Sequence, residues 1–177
     1  MFLHSRYFKS GNNCMPRGAG LALFLAIIPV LAIILRAEAT PSVVLAPADP
    51  WTNAQLIQPS QLAATLTQPP GSRPRVVCVG FKFLYESGHV PGSVFYGPAR
   101  EAAKLEDLKT AAQKWPRDLE VVIYCGCCPL KQCPNVRPAF AALRGMGFTR
   151  LRLLDLETDF RTDWKGLPVE KTLPDQK

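Results

Sequence analysis

The sequence predicts an α/β domain with a central, mostly parallel sheet and helices on both faces. Short apolar runs, typical of buried strands, alternate with segments whose apolar residues recur at helical spacing. This alternation is the pattern of parallel sheets. The hydrophobic share of 47% excludes wholesale disorder, and its even spread excludes a polytopic membrane protein. At 177 residues the chain has room for one compact domain.

Four strands are predicted from short apolar, β-branched runs bounded by turn residues. These runs are Arg75–Val79, Ser93–Tyr96, Leu119–Tyr124 and Leu151–Leu154. The third run is the strongest strand signal in the chain. We therefore expect this run to form the central strand of the sheet.

Four helices are predicted from apolar residues three or four positions apart. The first is short and begins at Ser60 as its N-cap, with Leu62 and Leu66 on one face. The other three are predicted over Ala99–Lys114, Val136–Met146 and Thr158–Lys165. Gly147 stands at the C′ position that commonly ends a helix.

Residues 1–39 are predicted to be a secretory signal peptide. Basic residues precede the apolar run Leu21–Leu35, and the small residues Ala37 and Ala39 follow it at the −3 and −1 positions of a cleavage site. The run covers 15 residues, whereas a membrane span needs about 20. Met15 is an alternative start that gives a leader of conventional length. The protein is therefore expected to be exported, to the periplasm in a bacterium, and a membrane anchor formed by the same run left uncleaved is the alternative.

The rest of the chain divides into a linker over 40–50, a domain over 51–170 and a disordered tail over 171–177. Of the 21 basic and 14 acidic residues, the leader contains four basic and one acidic, which leaves 17 basic and 13 acidic residues. The remaining lysines and arginines are scattered, so nucleic-acid binding is not expected. Contact with a membrane is expected only through the leader.

Four cysteines lie close together directly after the strongest predicted strand. They are Cys125, Cys127, Cys128 and Cys133. Ligands of parallel α/β sheets bind at the carboxyl ends of the strands, so this loop is the candidate site. The loop amides around Gly126, the start of the next helix and the cation of Arg137 are expected to stabilise an anionic sulfur on Cys125.

Three kinds of chemistry fit this loop. Cys125 can act as a nucleophile toward sulfur, or it can exchange disulfides with Cys128 at C-x-x-C spacing. Alternatively, the loop belongs to a non-catalytic module that serves as an interaction domain or binds zinc, an iron–sulfur cluster or copper(I) through its four thiolates. Two adjacent cysteines, however, seldom serve one structural ion. Simple structural disulfides of an exported protein are the plainest alternative. Cys127, Cys128 and Cys133 are the candidates for resolving thiols or disulfide partners.

Four segments, in the correct order, resemble the rhodanese-like (sulfurtransferase) family over roughly 51–170. They are similar to its Y-x-x-G-H-I-P-G-A turn, its cysteine-bearing strand, its Gly-Phe helix end with the following strand, and its closing W-x-x-x-G-L-P-V. These segments are Tyr85–Ser93, Val121–Cys125, Gly147–Leu154 and Trp164–Val169.

The resemblance implies the rhodanese-like fold and an enzyme that transfers sulfur. By resemblance, Cys125 takes a sulfane sulfur from a small donor such as thiosulfate and holds it as a persulfide. It then passes the sulfur to a thiol or protein acceptor, and no cofactor is expected. The resemblance implies a structural role for the turn residues Gly88, His89, Pro91 and Gly92.

The chain departs from the family pattern near the site. Where the family strand usually ends in Asp-x-Arg, this chain has Cys78–Gly80, so the usual charged pair is absent. The loop after Cys125 is longer than the family's, and Pro129 and Pro134 supply no amide. The ring of donors around the sulfur is therefore expected to differ, which leaves the substrate class open. Cys78 is expected to be inert core, with a distant resolving role as the alternative.

Overall fold

The computed structural model describes residues 49–172. The predicted signal peptide over 1–39, with its alternative start at Met15, lies outside the described residues. So do most of the linker over 40–50 and most of the tail over 171–177. These assignments stay predictions. Among the helices within 49–172, none combines the length and apolar character that crossing a bilayer requires.

Five strands form one sheet in the order β1-β5-β4-β2-β3. The strands are β1 (Leu56–Ile57), β2 (Arg75–Cys78), β3 (Val94–Phe95), β4 (Val121–Tyr124) and β5 (Leu151–Leu154). Each of these neighbouring pairs is parallel, so the predicted parallel α/β sheet is confirmed. Strand β4 is central and buried along its whole length. The carboxyl end of β4 therefore lies in the middle of the edge at which the parallel strands end.

Helices cover both faces of the sheet, as predicted. They are α1 (Pro59–Thr65), α2 (Lys82–Ser87), α3 (Ala102–Ala112), α4 (Val136–Gly145) and α5 (Phe160–Asp163). Because successive strand side chains point to opposite faces, β4 contributes to two cores. Val121 and Ile123 pack in the core that contains α3 and α4. Val122 and Tyr124 pack in the other, with residues of α1 and α5.

The structure corrects the predicted start of α1. Gln58, not Ser60, is the N-cap, and Pro59 occupies the first helical position. The backbone N–H of Gln58 donates to Gln61 Oε1 at 3.1 Å. Proline suits this position, because its φ angle is already helical and its missing N–H would have no partner inside the helix. Ser60 lies inside the helix.

Two elements were not predicted, and the ends of others move by a few residues. Strand β1 has only two residues, and the end of α2 overlaps the start of the Tyr85–Ser93 motif. Helix α5 is shorter than predicted, because Asp159 caps it by accepting from the N–H of Thr162 at 2.8 Å. Helix α4 ends as predicted: Gly147 follows it with φ +90°, a conformation that favours glycine.

Candidate active site

Cys125 occupies the carboxyl end of the central strand. It follows β4 directly and is 4% exposed. The adjoining Gly126 has φ +82°, and its carbonyl oxygen accepts from the N–H of Phe160 at 3.2 Å. The chain therefore turns sharply after the strand, and this turn is fastened to the start of α5. The predicted position of Cys125, at a strand–loop–helix junction, matches the structure.

The turn at Gly126 brings a second thiol beside the first. The Sγ atoms of Cys125 and Cys127 are 3.1 Å apart, and that of Cys128 lies 3.3 Å from Cys127 Sγ. The Sγ atoms of Cys125, Cys127 and Cys133 all lie within 4.8 Å of one another. Within residues 49–172 every cysteine is a free thiol. The structure thus gathers the predicted cysteines into one cluster.

The thiols around Cys125 keep their protons at neutral pH. Burial is the main cause that raises the pKa of Cys127, to about 11, and burial also raises the pKa of Cys128. The hydrogen bond with Cys125, followed by burial, raises the pKa of Cys133. Since a protonated thiol is a weak donor, these groups can donate toward an anionic sulfur on Cys125.

A buried side chain that the sequence did not reveal completes the surroundings of the sulfur. Asn135 Nδ2 donates to Cys125 Sγ at 3.2 Å, and Asn135 Oδ1 accepts from the N–H of Arg100 at 3.2 Å. The side chain of Asn135 is fully buried. Its carboxamide is therefore held at both ends, with the donating end toward sulfur. Its place directly before α4 was the one available signal.

The start of α4 faces a different sulfur from the one predicted. The backbone N–H groups of Asn135 and Val136 hydrogen-bond to the sulfur of Cys133. Earlier in the loop, the N–H of Leu130 donates to the carbonyl of Leu156 at 2.8 Å. The start of α4, which was expected to stabilise an anion on Cys125, thus donates to the neighbouring sulfur of Cys133.

A pocket of about 430 Å³ opens beside Cys125. Cys125 and Cys127 both line it. Arg161 and Lys165 contribute two cationic side chains to the lining, beside the carboxylate of Asp159. Aromatic side chains form part of its wall, namely Tyr124, Phe160 and Trp164. The pocket can therefore accept a small anion next to the sulfur, and the sequence did not reveal its cations because they follow β5, far along the chain.

Arg137 holds the loop together. Its guanidinium donates to the carbonyls of Cys133 at 3.2 Å and Lys131 at 2.8 Å. It also pairs with Asp49 at 2.5 Å and lies over the Trp51 ring at 5.4 Å. The predicted role of Arg137 was to stabilise an anion at the catalytic sulfur. In the structure the charge of Arg137 instead interacts with carbonyl oxygens of the loop and with the carboxylate of Asp49.

The turn predicted to be structural follows α2, and its Gly88 lines the same pocket as Cys125. It contains Gly88, His89, Pro91 and Gly92. His89 is 3% exposed, lies 2.7 Å through Nδ1 from the carbonyl oxygen of Tyr85, and stacks on the Tyr85 ring. The backbone of His89 pairs with Glu170, whose carboxylate also accepts from the N–H of Gly92 at 2.7 Å. The ring of His89 is thus held against Tyr85, and the backbone of the turn is bound to Glu170, directly after the closing segment, as expected of a structural histidine.

Cys78 and Gly80 lie next to Cys125. They occupy the positions at which the sequence lacks the charged pair Asp-x-Arg. The Sγ of Cys78 lies 4.0 Å from the carbonyl oxygen of Cys125, and burial raises the pKa of Cys78 to about 11. These properties favour the interpretation of Cys78 as core. A Cβ at Gly80 would collide with the carbonyl oxygen of Cys125 and lie 3.4 Å from its sulfur. The close approach of the loop therefore requires glycine there.

Similar proteins are found among solved structures. No protein-family model matches the chain, and no curated protein matches it. A solution structure of the rhodanese-like domain of the Anabaena sp. Alr3790 protein is 19% identical, with a TM-score of 0.47, over 70% of this chain and 83% of that one. A crystal structure of the Alr3790 protein is 20% identical, with a TM-score of 0.49, over 68% and 96%.

A crystal structure of a rhodanese-related protein from Thermoplasma volcanium is also similar. It is 17% identical, with a TM-score of 0.42, over 67% of this chain and 99% of that one.

Proposed function

We propose that the chain is a rhodanese-like sulfurtransferase that carries sulfane sulfur as a persulfide on Cys125. The placement of the Cys125 sulfur carries this proposal. The residue directly follows the central strand, lines a pocket of about 430 Å³ and receives a hydrogen bond from Asn135 at 3.2 Å. A hydrogen-bond donor aimed at sulfur stabilises the anionic form that both attacks a donor and carries the transferred atom.

The reaction has two steps that balance without a cofactor. The Cys125 thiolate attacks the sulfane sulfur of a donor such as thiosulfate, and a new sulfur–sulfur bond forms. The donor's own sulfur–sulfur bond breaks, and its electron pair leaves with sulfite. An acceptor thiolate then attacks the outer sulfur of the persulfide and takes it, which returns Cys125 as a thiolate.

The charges around the pocket support an anionic donor. Arg161 and Lys165 line the space into which Cys125 opens. Cations beside a cleft raise the local concentration of anions and orient them. The acceptor is a thiol, either small or carried by a protein.

Disulfide exchange is a second candidate function, favoured by the 3.1 Å separation of Cys125 and Cys127 Sγ. In that reaction Cys127 attacks a mixed disulfide or persulfide on Cys125. A disulfide forms between the two residues, and the bound thiol or sulfide leaves. The predicted partner Cys128 is the alternative resolving thiol.

Mass spectrometry of the purified protein after thiosulfate treatment, without reductant, tests the proposal. We expect an adduct of one sulfur atom on the wild type and none on Cys125→Ser. Cys128→Ser is the matched control and keeps the adduct. An adduct that survives Cys125→Ser, or no adduct on any form, contradicts persulfide transfer. A loss of two hydrogen atoms that disappears in Cys127→Ser identifies disulfide exchange.

A further inference from the structure

The sulfur triangle beside the pocket has the dimensions of a soft-metal site. The Sγ atoms of Cys125, Cys127 and Cys133 lie within 4.8 Å of one another. A metal ion bonds thiolate sulfur at about 2.3 Å, so three sulfurs around one ion in a plane lie about 4 Å apart. The Cys125–Cys127 edge, at 3.1 Å, must widen by about 1 Å through side-chain rotation for the triangle to bind an ion at its centre.

The number of sulfurs distinguishes between metals. Cys128 does not belong to the triangle, although its Sγ lies 3.3 Å from that of Cys127. Structural zinc and iron–sulfur centres take four protein ligands per site. Copper(I), a soft cation that selects thiolate ligands, is satisfied by three sulfurs in a plane. The triangle thus fits copper(I) better than a four-ligand structural zinc ion.

Donors around the triangle suit the charge of such a site. Three thiolates and one copper(I) ion leave two net negative charges. Asn135 Nδ2 donates to the Cys125 sulfur at 3.2 Å, and the N–H groups of Asn135 and Val136 bind the Cys133 sulfur. Outer hydrogen bonds of this kind orient ligands and stabilise their charge. Cys125 and Cys133 are buried and Cys127 is half-buried, which leaves one open side for the ion to enter.

We propose that Cys125, Cys127 and Cys133 bind one copper(I) ion through three thiolates, without Cys128. Three S–H groups release their protons to solvent, three copper–sulfur bonds form, and the oxidation state of copper does not change. This site does not rest on the sulfur-transfer proposal. Because both use Cys125, however, bound copper(I) blocks persulfide formation.

The test is an anaerobic titration of the reduced, purified protein with copper(I) in competition with a chromogenic chelator. We expect one equivalent of copper(I) on the wild type and an unchanged affinity for Cys128→Ser, the matched control. Cys127→Ser and Cys133→Ser should each weaken binding by at least about 100-fold, more than loss of an outer-shell partner usually does. An equal loss in Cys128→Ser, or no bound copper, overturns the proposal.

X-ray absorption at the copper edge of the wild-type protein gives a second readout, which does not depend on whether the buried Cys133→Ser variant folds. Three sulfur neighbours are expected, and two or four overturn the proposal. Zinc that binds more tightly than copper(I), with four sulfur neighbours, also overturns it. The persulfide experiment contains no metal, so the failure of one proposal is distinguishable from the failure of the other.

Discussion

Replacement of Asn135 by alanine tests whether its carboxamide stabilises the reacting sulfur. The side chain donates to Cys125 Sγ at 3.2 Å and is fully buried, so water cannot replace it easily. A hydrogen bond to a charged group contributes about 1.5–3 kcal/mol, so persulfide formation should slow by about 10- to 150-fold. The N–H of Arg100 also loses its partner, which lowers the free energy of unfolding by about 1–3 kcal/mol.

The assay is the initial rate of sulfite release from thiosulfate, with urea unfolding of each variant measured in parallel. Asn135→Asp is the matched variant, because a carboxylate can still accept from the Arg100 N–H but presents oxygen to the sulfur. Its repulsion of the Cys125 anion should slow the reaction more than alanine does. Folded variants that both release sulfite at the wild-type rate would refute a role for Asn135 at the sulfur.

Three further predictions concern the surroundings of the site. Gly80→Ala should cost about 1–3 kcal/mol of stability by overpacking and should slow sulfite release, since its Cβ collides with the carbonyl of Cys125. Gly71→Ala, in open space, is the control, and equal melting temperatures for the two variants would contradict the clash. Arg161→Glu should raise KM for thiosulfate by about 2- to 5-fold, with a smaller effect in high salt; a KM unchanged at low ionic strength would separate this cation from donor binding. Cys78 should resist iodoacetamide near neutral pH until urea unfolds the protein, because burial raises its pKa to about 11 and leaves it 2% exposed; rapid labelling of the folded protein would count against a core role.

The strands that form the middle of the sheet could be predicted from the sequence, because buried strands consist of short, continuous runs of apolar residues. Runs such as Val121–Tyr124 are apolar on both faces, as parallel strands must be. Strand β1 carries no such signal, because two residues are too few for a periodic pattern and their partner is β5, far along the chain. The position of helix α1 was predicted correctly, but its N-cap was not. The prediction relied on Ser60 as a capping residue and overlooked that Pro59 favours the first helical position.

The nucleophile could be predicted from its position after the strongest strand, but its neighbours could not. The C-x-x-C spacing favoured Cys128 as partner, whereas the left-handed turn at Gly126 returns Cys127 to within 3.1 Å of Cys125. The contact of Asn135 with sulfur depends on how the loop closes over ten residues. Such contacts are tertiary, and no local pattern encodes them.

The pairing of β1 with β5 also decides when the thiols become covered during folding. Leu56 lies beside Leu153, so the first strand stays unpaired until the last strand has been added. The cysteine loop also depends on a segment late in the chain, because the N–H of Leu130 donates to the carbonyl of Leu156, which follows β5. Contacts between such distant segments form late, after the entropy of closing a long chain has been overcome. We therefore expect the loop cysteines of a refolding chain to stay open to oxidants until these contacts form, so that a reducing agent present during refolding reduces mispairing.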